Sequence, residues 1–181
     1  MIRWRSLLRQ WRDGERAAIS VETAVMLPLL VFLYLTTWVY FDAYRKRAIL
    51  EKASFTVGDL LSRQTDTIHD ADIEGLRDLF AFIASTGETS WLRVSEITRV
   101  TADDWDVEWS YATGRNPILR DSHLERVAAD LPEITVGARV IIVQTHTRYF
   151  PVFNVGLPHR VMTTFTPTRT RYAGQLSYSP T

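Results

Sequence analysis

The chain contains no cysteine, which excludes disulfide bonds, thiolate metal sites and cysteine nucleophiles. This absence leaves the compartment undetermined, because an exported domain does not need disulfides. The sequence also lacks net charge, since 21 acidic residues balance 21 basic ones. Without a strongly basic surface, a nucleic-acid partner is not expected.

Recognisable catalytic motifs are lacking as well. The sequence has no Walker loop, dinucleotide-binding fingerprint or Gly-x-Ser-x-Gly motif. Its four histidines are scattered, without the spacing that places two metal ligands on one helix face. Asp103 and Asp104 are adjacent acids at a predicted turn, where solvated carboxylates are usual. We therefore expect no cofactor, no metal site and no enzymatic activity, and we expect a function in binding or assembly.

The sequence does have a long apolar stretch near its beginning, over residues 17–41. Thr23 to Phe41 are 19 consecutive residues without a formal charge, and as a helix they would extend about 28 Å. A helix that is apolar on every face is typical of a membrane span. The chain then divides into a basic tail (1–16), the span (17–41), a helical stalk (42–65) and an outer domain (66–181).

Both flanks of this stretch are basic, so its orientation depends on a modest asymmetry. Five basic residues precede it and three follow it: Arg3, Arg5, Arg9, Arg12 and Arg16, then Arg45, Lys46 and Arg47. This excess favours an N-terminus in the cytoplasm and an outer domain across the membrane. A cleaved signal peptide is the alternative, but its apolar region is shorter and ends in small residues, whereas this one ends in WVYFDAYRKR.

Glu22 lies at the entrance of the span, where an ionised group is costly unless it is paired or hydrated. Two interpretations stay open from the residues alone. Glu22 either has a function that requires a partner, or it lies one turn inside the span and reaches water at the headgroup level.

The residues around Glu22 carry a family resemblance. The run RAAISVETAVMLPLL, residues 16–30, resembles the N-terminal signature of the TadE/TadF-like pseudopilins of tight adherence pili. The shared positions, in the same order and spacing, are Val21, Glu22, Ala24, Leu27, Pro28, Leu29 and Leu30. The sequence departs from the signature at Thr23, where the family usually has Phe, and at Ala17, where a prepilin peptidase expects Gly before the cut.

The resemblance implies a minor pilin-like subunit or accessory protein for assembly of a type IV-like pilus. A prepilin peptidase would cut between Ala17 and Ala18, so that Glu22 becomes the fifth residue of the mature chain and sets the register against a neighbouring subunit. The implied partners are the lipid bilayer, other pilin-like subunits and the assembly machinery. The implied location is a bacterial inner membrane, with the outer domain periplasmic until the subunit enters a fibre.

Proline 28 removes a backbone donor inside the predicted span, so a helix kink or local unwinding is expected there. The helix is expected to continue to about Arg63, although Gly58 weakens that extension. A stripe of apolar residues at helical spacing follows the span. We expect the outer domain to pack against this stripe, which consists of Ile49, Leu50, Ala53, Val57, Leu60 and Leu61.

The outer domain is predicted to be α+β, with helices before antiparallel strands. A helix capped by Asp70 or Asp72 should end near Thr86-Gly87, and a second, short helix should start with the capping-box pair Ser122 and Glu125. Strands are predicted at 91–101, 105–112, 137–149 and 160–166, with a hairpin link at 101–104 and the third strand central because it is apolar on both faces. In the second strand, Trp105, Val107, Trp109 and Tyr111 alternate with polar residues, so we expect one aromatic face.

Tyr149, Phe150 and Phe153 are candidates for a contact patch, although we expect core packing to occupy at least two of them. Two other functional classes stay open besides a pilus subunit. One is a permanently anchored periplasmic adaptor or sensor, and the other is an envelope hydrolase whose site is assembled from distant residues. A cleft with convergent histidine and carboxylate groups would favour the hydrolase.

Overall fold

The computed structural model describes residues 15–102, 104–124, 127 and 130–180, with side chains from Ser20 onwards. Within these residues, two α-helices, α1 (Glu15–Ser62) and α2 (Asp70–Ala84), precede four β-strands. The strands are β1 (Ser90–Arg99), β2 (Trp105–Ala112), β3 (Arg139–Tyr149) and β4 (Arg160–Thr168). They form one antiparallel sheet in the order β2-β1-β3-β4. The predicted α+β class and the central position of β3 are confirmed.

The chain divides into two compact units. The first contains the chain up to Ala43 together with Pro151–Pro158, and the second contains Tyr44–Phe150 and His159–Thr181. Helix α1 passes through the boundary as one continuous element.

The first unit is dominated by the apolar part of α1. Every residue from Ser20 to Tyr34 is exposed, although most of them are hydrophobic. Within the described residues, this is the one helix long and apolar enough to cross a membrane. A helix that exposes so much apolar surface requires lipid or other apolar helices around it.

The second unit has a three-layer core around the sheet. On one face, α1 and α2 bury Leu50, Val57 and Phe80 against alternate residues of β1 and β3. On the other face, Leu119 and Leu124 from the β2–β3 connection cover Ile142 and its neighbours. The predicted packing of the stripe after the span is confirmed, except that Leu60 is exposed.

Helix α1 approaches β4 closely in this unit. The Ser54 hydroxyl is 2.8 Å from the Thr166 hydroxyl, and both groups are buried. A Cβ on Gly58 would lie 3.4 Å from Thr166 Cγ2, which is van der Waals contact, so Gly58 faces β4 at this approach. The helix continues through Gly58 to Ser62, and Gly58 lies at the packing contact between helix and sheet.

The ends of α2 differ from the expectation. The residue before the helix is His69, whose backbone N–H donates to the Asp72 carboxylate at 2.8 Å, so the N-cap is neither Asp70 nor Asp72. The helix ends at Ala84, before Ser85 in the left-handed region at φ 50°. There the Lys46 ammonium donates to the carbonyls of Ala84 (2.7 Å) and Ser85 (3.1 Å), where a cation is favoured by the helix dipole.

A β-bulge in the β1–β2 pair changes the predicted faces of β2. Glu96 pairs with Trp109, whereas Ile97 pairs with Val107, so Glu108 is the extra residue. Because an extra residue reverses the alternation, Trp109 packs on the helix side of the sheet and Val107 on the opposite side. The prediction of a single aromatic face on β2 is therefore wrong.

The β2–β3 connection starts with a 3-10 turn at Thr113–Arg115 and has a second at Asp121–His123. Of the predicted capping-box pair Ser122 and Glu125, Glu125 lies outside the described residues. Leu124, Val127 and Leu131 of the predicted helix do face the core.

The C-terminal segment after β4 is part of the fold, although the sequence pattern did not predict it. Leu176 is buried, and Tyr178 stacks on Trp109 with ring centroids 4.8 Å apart. The backbone of Ile68 forms hydrogen bonds with Ser177 and Ser179. The segment therefore connects the start of α2 to the sheet.

Candidate functional site

The residues predicted for processing and assembly lie on α1. Glu22 is exposed on the apolar part of the helix. Ala17 and Ala18 belong to the helix, but their side chains lie outside the described residues. The helix continues through Pro28 without interruption, so local unwinding is not observed, and the kink stays a prediction.

Four aromatic residues near the end of the apolar stretch of α1 are exposed. Tyr34, Trp38, Tyr40 and Tyr44 each expose two fifths or more of their surface. Trp38 also makes an edge-to-face contact with Phe153, with ring centroids 5.8 Å apart. Aromatic side chains with one apolar and one hydrated side are typical of the membrane interface.

The three residues of the predicted contact patch have different environments. Tyr149 is buried, whereas Phe150 and Phe153 are 54% and 41% exposed. The expectation that at least two of them belong to the core is therefore wrong. The reason is that β3 ends at Tyr149, so the following residues leave the sheet and enter a loop.

A cleft of about 570 Å³ lies beside the start of β1 in the second unit. It contains two acids and two arginines together with aromatic and hydroxyl side chains. The lining residues are Glu74, Arg77, Glu88, Thr89, Ser90, Trp91, Thr113, Gly114, Asn116, Arg148 and Phe150. This mixture of charge and aromatic surface suits a polar or peptide-like ligand better than a purely apolar one.

Glu74 is held in place at one wall of the cleft. Its carboxylate accepts hydrogen bonds from the Tyr111 hydroxyl at 3.2 Å and the Gly114 backbone N–H at 3.3 Å. It also lies 3.7 Å from the Arg77 guanidinium. Burial and the neighbouring Glu74 carboxylate raise the pKa of Tyr111, so this hydroxyl stays a hydrogen-bond donor. The sequence alone did not bring Glu74 and Tyr111 together, because 37 positions separate them.

His146 lies behind the cleft, stacked on its wall residue Trp91. The two rings are nearly parallel, 8° apart, with centroids separated by 3.8 Å. Among the described residues, Nε2 of His146 is buried and has no hydrogen-bond partner. Burial, and then the positive charge of Arg93, lower the pKa of His146 to about 4. The imidazole is therefore neutral at physiological pH.

This lowered pKa predicts an acid-dependent loss of stability. The pKa of His146 is about 4 in the folded state and about 6.5 in the unfolded state. The stability that the neutral imidazole contributes is therefore complete above pH 6.5 and is lost as the pH falls towards 4. With partial solvent screening, we expect a loss of about 1 to 2 kcal/mol from this group. His146→Phe, which keeps an aromatic ring on Trp91, should unfold with a smaller difference between pH 7 and pH 4.5.

The measurement is urea unfolding of the full chain in detergent micelles, followed by tryptophan fluorescence at both pH values. His123→Phe is the matched control because His123 is exposed, and it should keep the wild-type pH dependence. An identical pH dependence in His146→Phe and the wild type would contradict the assignment.

The cleft does not contain convergent histidine and carboxylate groups, since its two acids are Glu74 and Glu88 and no histidine lines it. In the part of the chain that the structure describes, no cluster of three or more His, Cys, Asp or Glu side chains has the geometry to hold a metal ion. This cleft therefore lacks the feature that would favour an envelope hydrolase.

Comparison with known proteins identifies no relative. No family model matches the chain, and neither a curated protein nor a solved structure does.

Proposed function

We propose that this protein is a minor pilin-like subunit, or an accessory protein, for assembly of a tight adherence type IV-like pilus. Three observations support the proposal. Residues 16–30 resemble the pseudopilin signature, α1 exposes apolar residues on all sides from Ser20 to Tyr34, and an α+β domain follows the helix. The exposed apolar helix carries the most weight, because the same surface suits both lipid and a bundle of pilin helices.

In this proposal, Glu22 pairs with the free amino terminus of a neighbouring subunit. A cut between Ala17 and Ala18 creates that amine and makes Glu22 the fifth residue. An ammonium and a carboxylate near a membrane are stabilised by pairing, since lipid solvates neither charge. Glu22 is exposed on the helix and therefore available to a second chain. The subunit would remain in a bacterial inner membrane with its domain periplasmic until it enters the fibre.

The experiment that tests processing is N-terminal sequencing of the protein from membranes, with and without an active prepilin peptidase. We expect a start at Ala18 that depends on the peptidase. Ala17→Gly should increase the processed fraction, because glycine is the residue before the cut in the family. Gly14→Ala is the matched control and should change nothing, since a cut after Gly14 would make Glu22 the eighth residue.

An intact start at Met1 or Ile2 in both strains would contradict processing. Loss of the whole apolar stretch would contradict the membrane-anchored arrangement itself. A start at Ala18 without the peptidase would indicate another protease and would also argue against a prepilin.

The second candidate is a permanently anchored adaptor or sensor that does not enter a fibre. The observation in its favour is the cleft of about 570 Å³, because its acids, arginines and aromatic rings suit recognition of a polar ligand. Shearing of intact cells distinguishes the two candidates. A pilus subunit is expected in the sheared fraction together with the major pilin, whereas an adaptor remains entirely with the membranes.

A further inference from the structure

The loop between β3 and β4, Pro151–Pro158, is an apolar segment that the function above does not use. Its sequence, PVFNVGLP, contains no charged residue. Val152 and Phe153 are 67% and 41% exposed, respectively. Exposed apolar residues in consecutive loop positions are costly in water and often mark a contact with a membrane or a partner.

A contact within the first unit gives the depth of this loop. Phe153 packs edge-to-face on Trp38, with 5.8 Å between ring centroids, and the next helix residue, Val39, is completely buried. Trp38 is three residues before Phe41, the end of the uncharged run. At about 1.5 Å per residue, it lies roughly 4.5 Å inside that end of the span. A ring in contact with Trp38 therefore lies at the level of the membrane interface.

The charges around the loop suit an anionic surface. Arg148 precedes it by three positions and Arg160 follows it by two, and no acid occurs from Arg148 to Val161. Both arginines are exposed. No side-chain hydrogen bond or ion pair connects either of them to another described residue. In the antiparallel register Arg148 pairs with Val161 and Arg160 with Tyr149, so the two arginines lie on opposite faces at the end of the sheet.

We propose that the loop Pro151–Pro158 inserts into the interface of the same bilayer that α1 spans, and that Arg148 and Arg160 bind the headgroups of anionic phospholipids. This inference rests on the membrane anchoring included in the proposed function. An apolar tip with flanking arginines is the arrangement expected for an interfacial attachment, because apolar side chains enter the acyl boundary and guanidinium groups bind phosphates. The loop would then be a second attachment of the chain to the bilayer, besides α1.

The absence of cysteine makes a direct test practical, since any introduced thiol is unique. The full chain is reconstituted in nanodiscs containing phosphatidylglycerol and phosphatidylcholine, with a fluorescent label on Val152→Cys. Leu29→Cys, within the span, is the lipid control, and Val136→Cys, an exposed valine of the outer domain, is the water control. Each label is exposed to a lipid-attached quencher and to a water-soluble quencher.

We expect the Val152→Cys label to be quenched by the lipid-attached quencher, as at Leu29→Cys, while the Val136→Cys label responds to the water-soluble one. Quenching from water at Val152→Cys, with Leu29→Cys still in lipid, would overturn the loop insertion and leave the span intact. Protection of the Val152→Cys label from both quenchers would also overturn it, because protein would then cover the loop. A Leu29→Cys label in water would overturn the membrane anchoring itself.

The arginines are tested by comparing nanodiscs with and without phosphatidylglycerol. With it, the lipid-to-water quenching ratio of the Val152→Cys label should rise, and Arg148→Gln with Arg160→Gln should remove that rise. Because one arginine near an anionic surface changes membrane binding by about fivefold, the double variant should show a clear loss. Arg120→Gln, an exposed arginine elsewhere in the chain, is the matched control and should keep the rise. An equal rise in the double variant would overturn the headgroup contacts.

Discussion

Glu22→Ala is expected to reduce the protein in the sheared fibre fraction by more than about tenfold, with an unchanged amount in the membrane. Removing one partner of a desolvated ion pair costs several kcal/mol, since the other charge is left without a counterion, and about 1.4 kcal/mol already corresponds to a tenfold change. In the proposed assembly, the group left unpaired would be the amino terminus of the neighbouring subunit. The measurement is quantitative immunoblotting of sheared and membrane fractions.

Glu51→Ala is the matched control on the same helix. Glu51 forms an exposed ion pair with Arg47 at 2.9 Å, four residues earlier, and such pairs contribute about 0.5 kcal/mol or less. Its removal should leave assembly unchanged. Normal assembly of Glu22→Ala would instead support the other interpretation of this residue, in which its carboxylate is hydrated at the headgroup level.

Glu96→Ala is expected to destabilise the outer domain by about 3 to 4 kcal/mol. Glu96 is a strand residue that is 1% exposed, and its carboxylate accepts from the Leu176 backbone N–H at 2.8 Å and from Trp109 Nε1 at 3.3 Å. Arg139 lies 3.5 Å away and supplies the opposite charge. Burial raises the pKa of Glu96, which means that burial disfavours the ionised carboxylate. The hydrogen bonds and the charge of Arg139 act in the opposite direction, so the buried carboxylate depends on them.

Two measurements on the full chain in detergent micelles test this expectation. Urea unfolding gives the stability, and limited trypsin digestion reports release of the C-terminal segment, because Arg169 and Arg171 precede Leu176. We expect faster cleavage there in Glu96→Ala. Glu108→Ala is the matched control, since Glu108 lies 3.3 Å from the same arginine but is 35% exposed, and its loss should cost less than about 1 kcal/mol. Equal effects of the two variants would contradict the role of the buried carboxylate.

The elements that the sequence predicted well have local signals. The extent of α1 to Ser62, the four strands and the central position of β3 were all recognisable from hydrophobic periodicity and from turn residues. The run Val140-Ile141-Ile142-Val143 is buried on both faces, as its composition predicted. These features depend on neighbours a few positions apart in the chain.

The features that the sequence missed depend on partners far apart in the chain. In the sequence, Glu96 resembles an ordinary exposed strand residue. In the fold it is buried, and its carboxylate accepts a hydrogen bond from the backbone N–H of Leu176, 80 positions later. Lys46 was counted only as a flanking charge, yet its ammonium caps α2, 38 positions away. The same is true of the cleft, whose walls come from α2, from the turn before β1 and the start of β1, from the segment after β2 and from the end of β3 with Phe150.

The sequence by itself determined the apolar helix with Glu22 at its entrance, the order of helices and strands, and the resemblance to pseudopilins. Only the tertiary structure decided that Glu108 forms a bulge, that Glu96 is buried and that Phe153 contacts Trp38. The physical reason is that helix and strand periodicity is set by adjacent residues. The burial of a polar group, the side-chain face after a bulge and the position of a loop are set by the segments that pack against them.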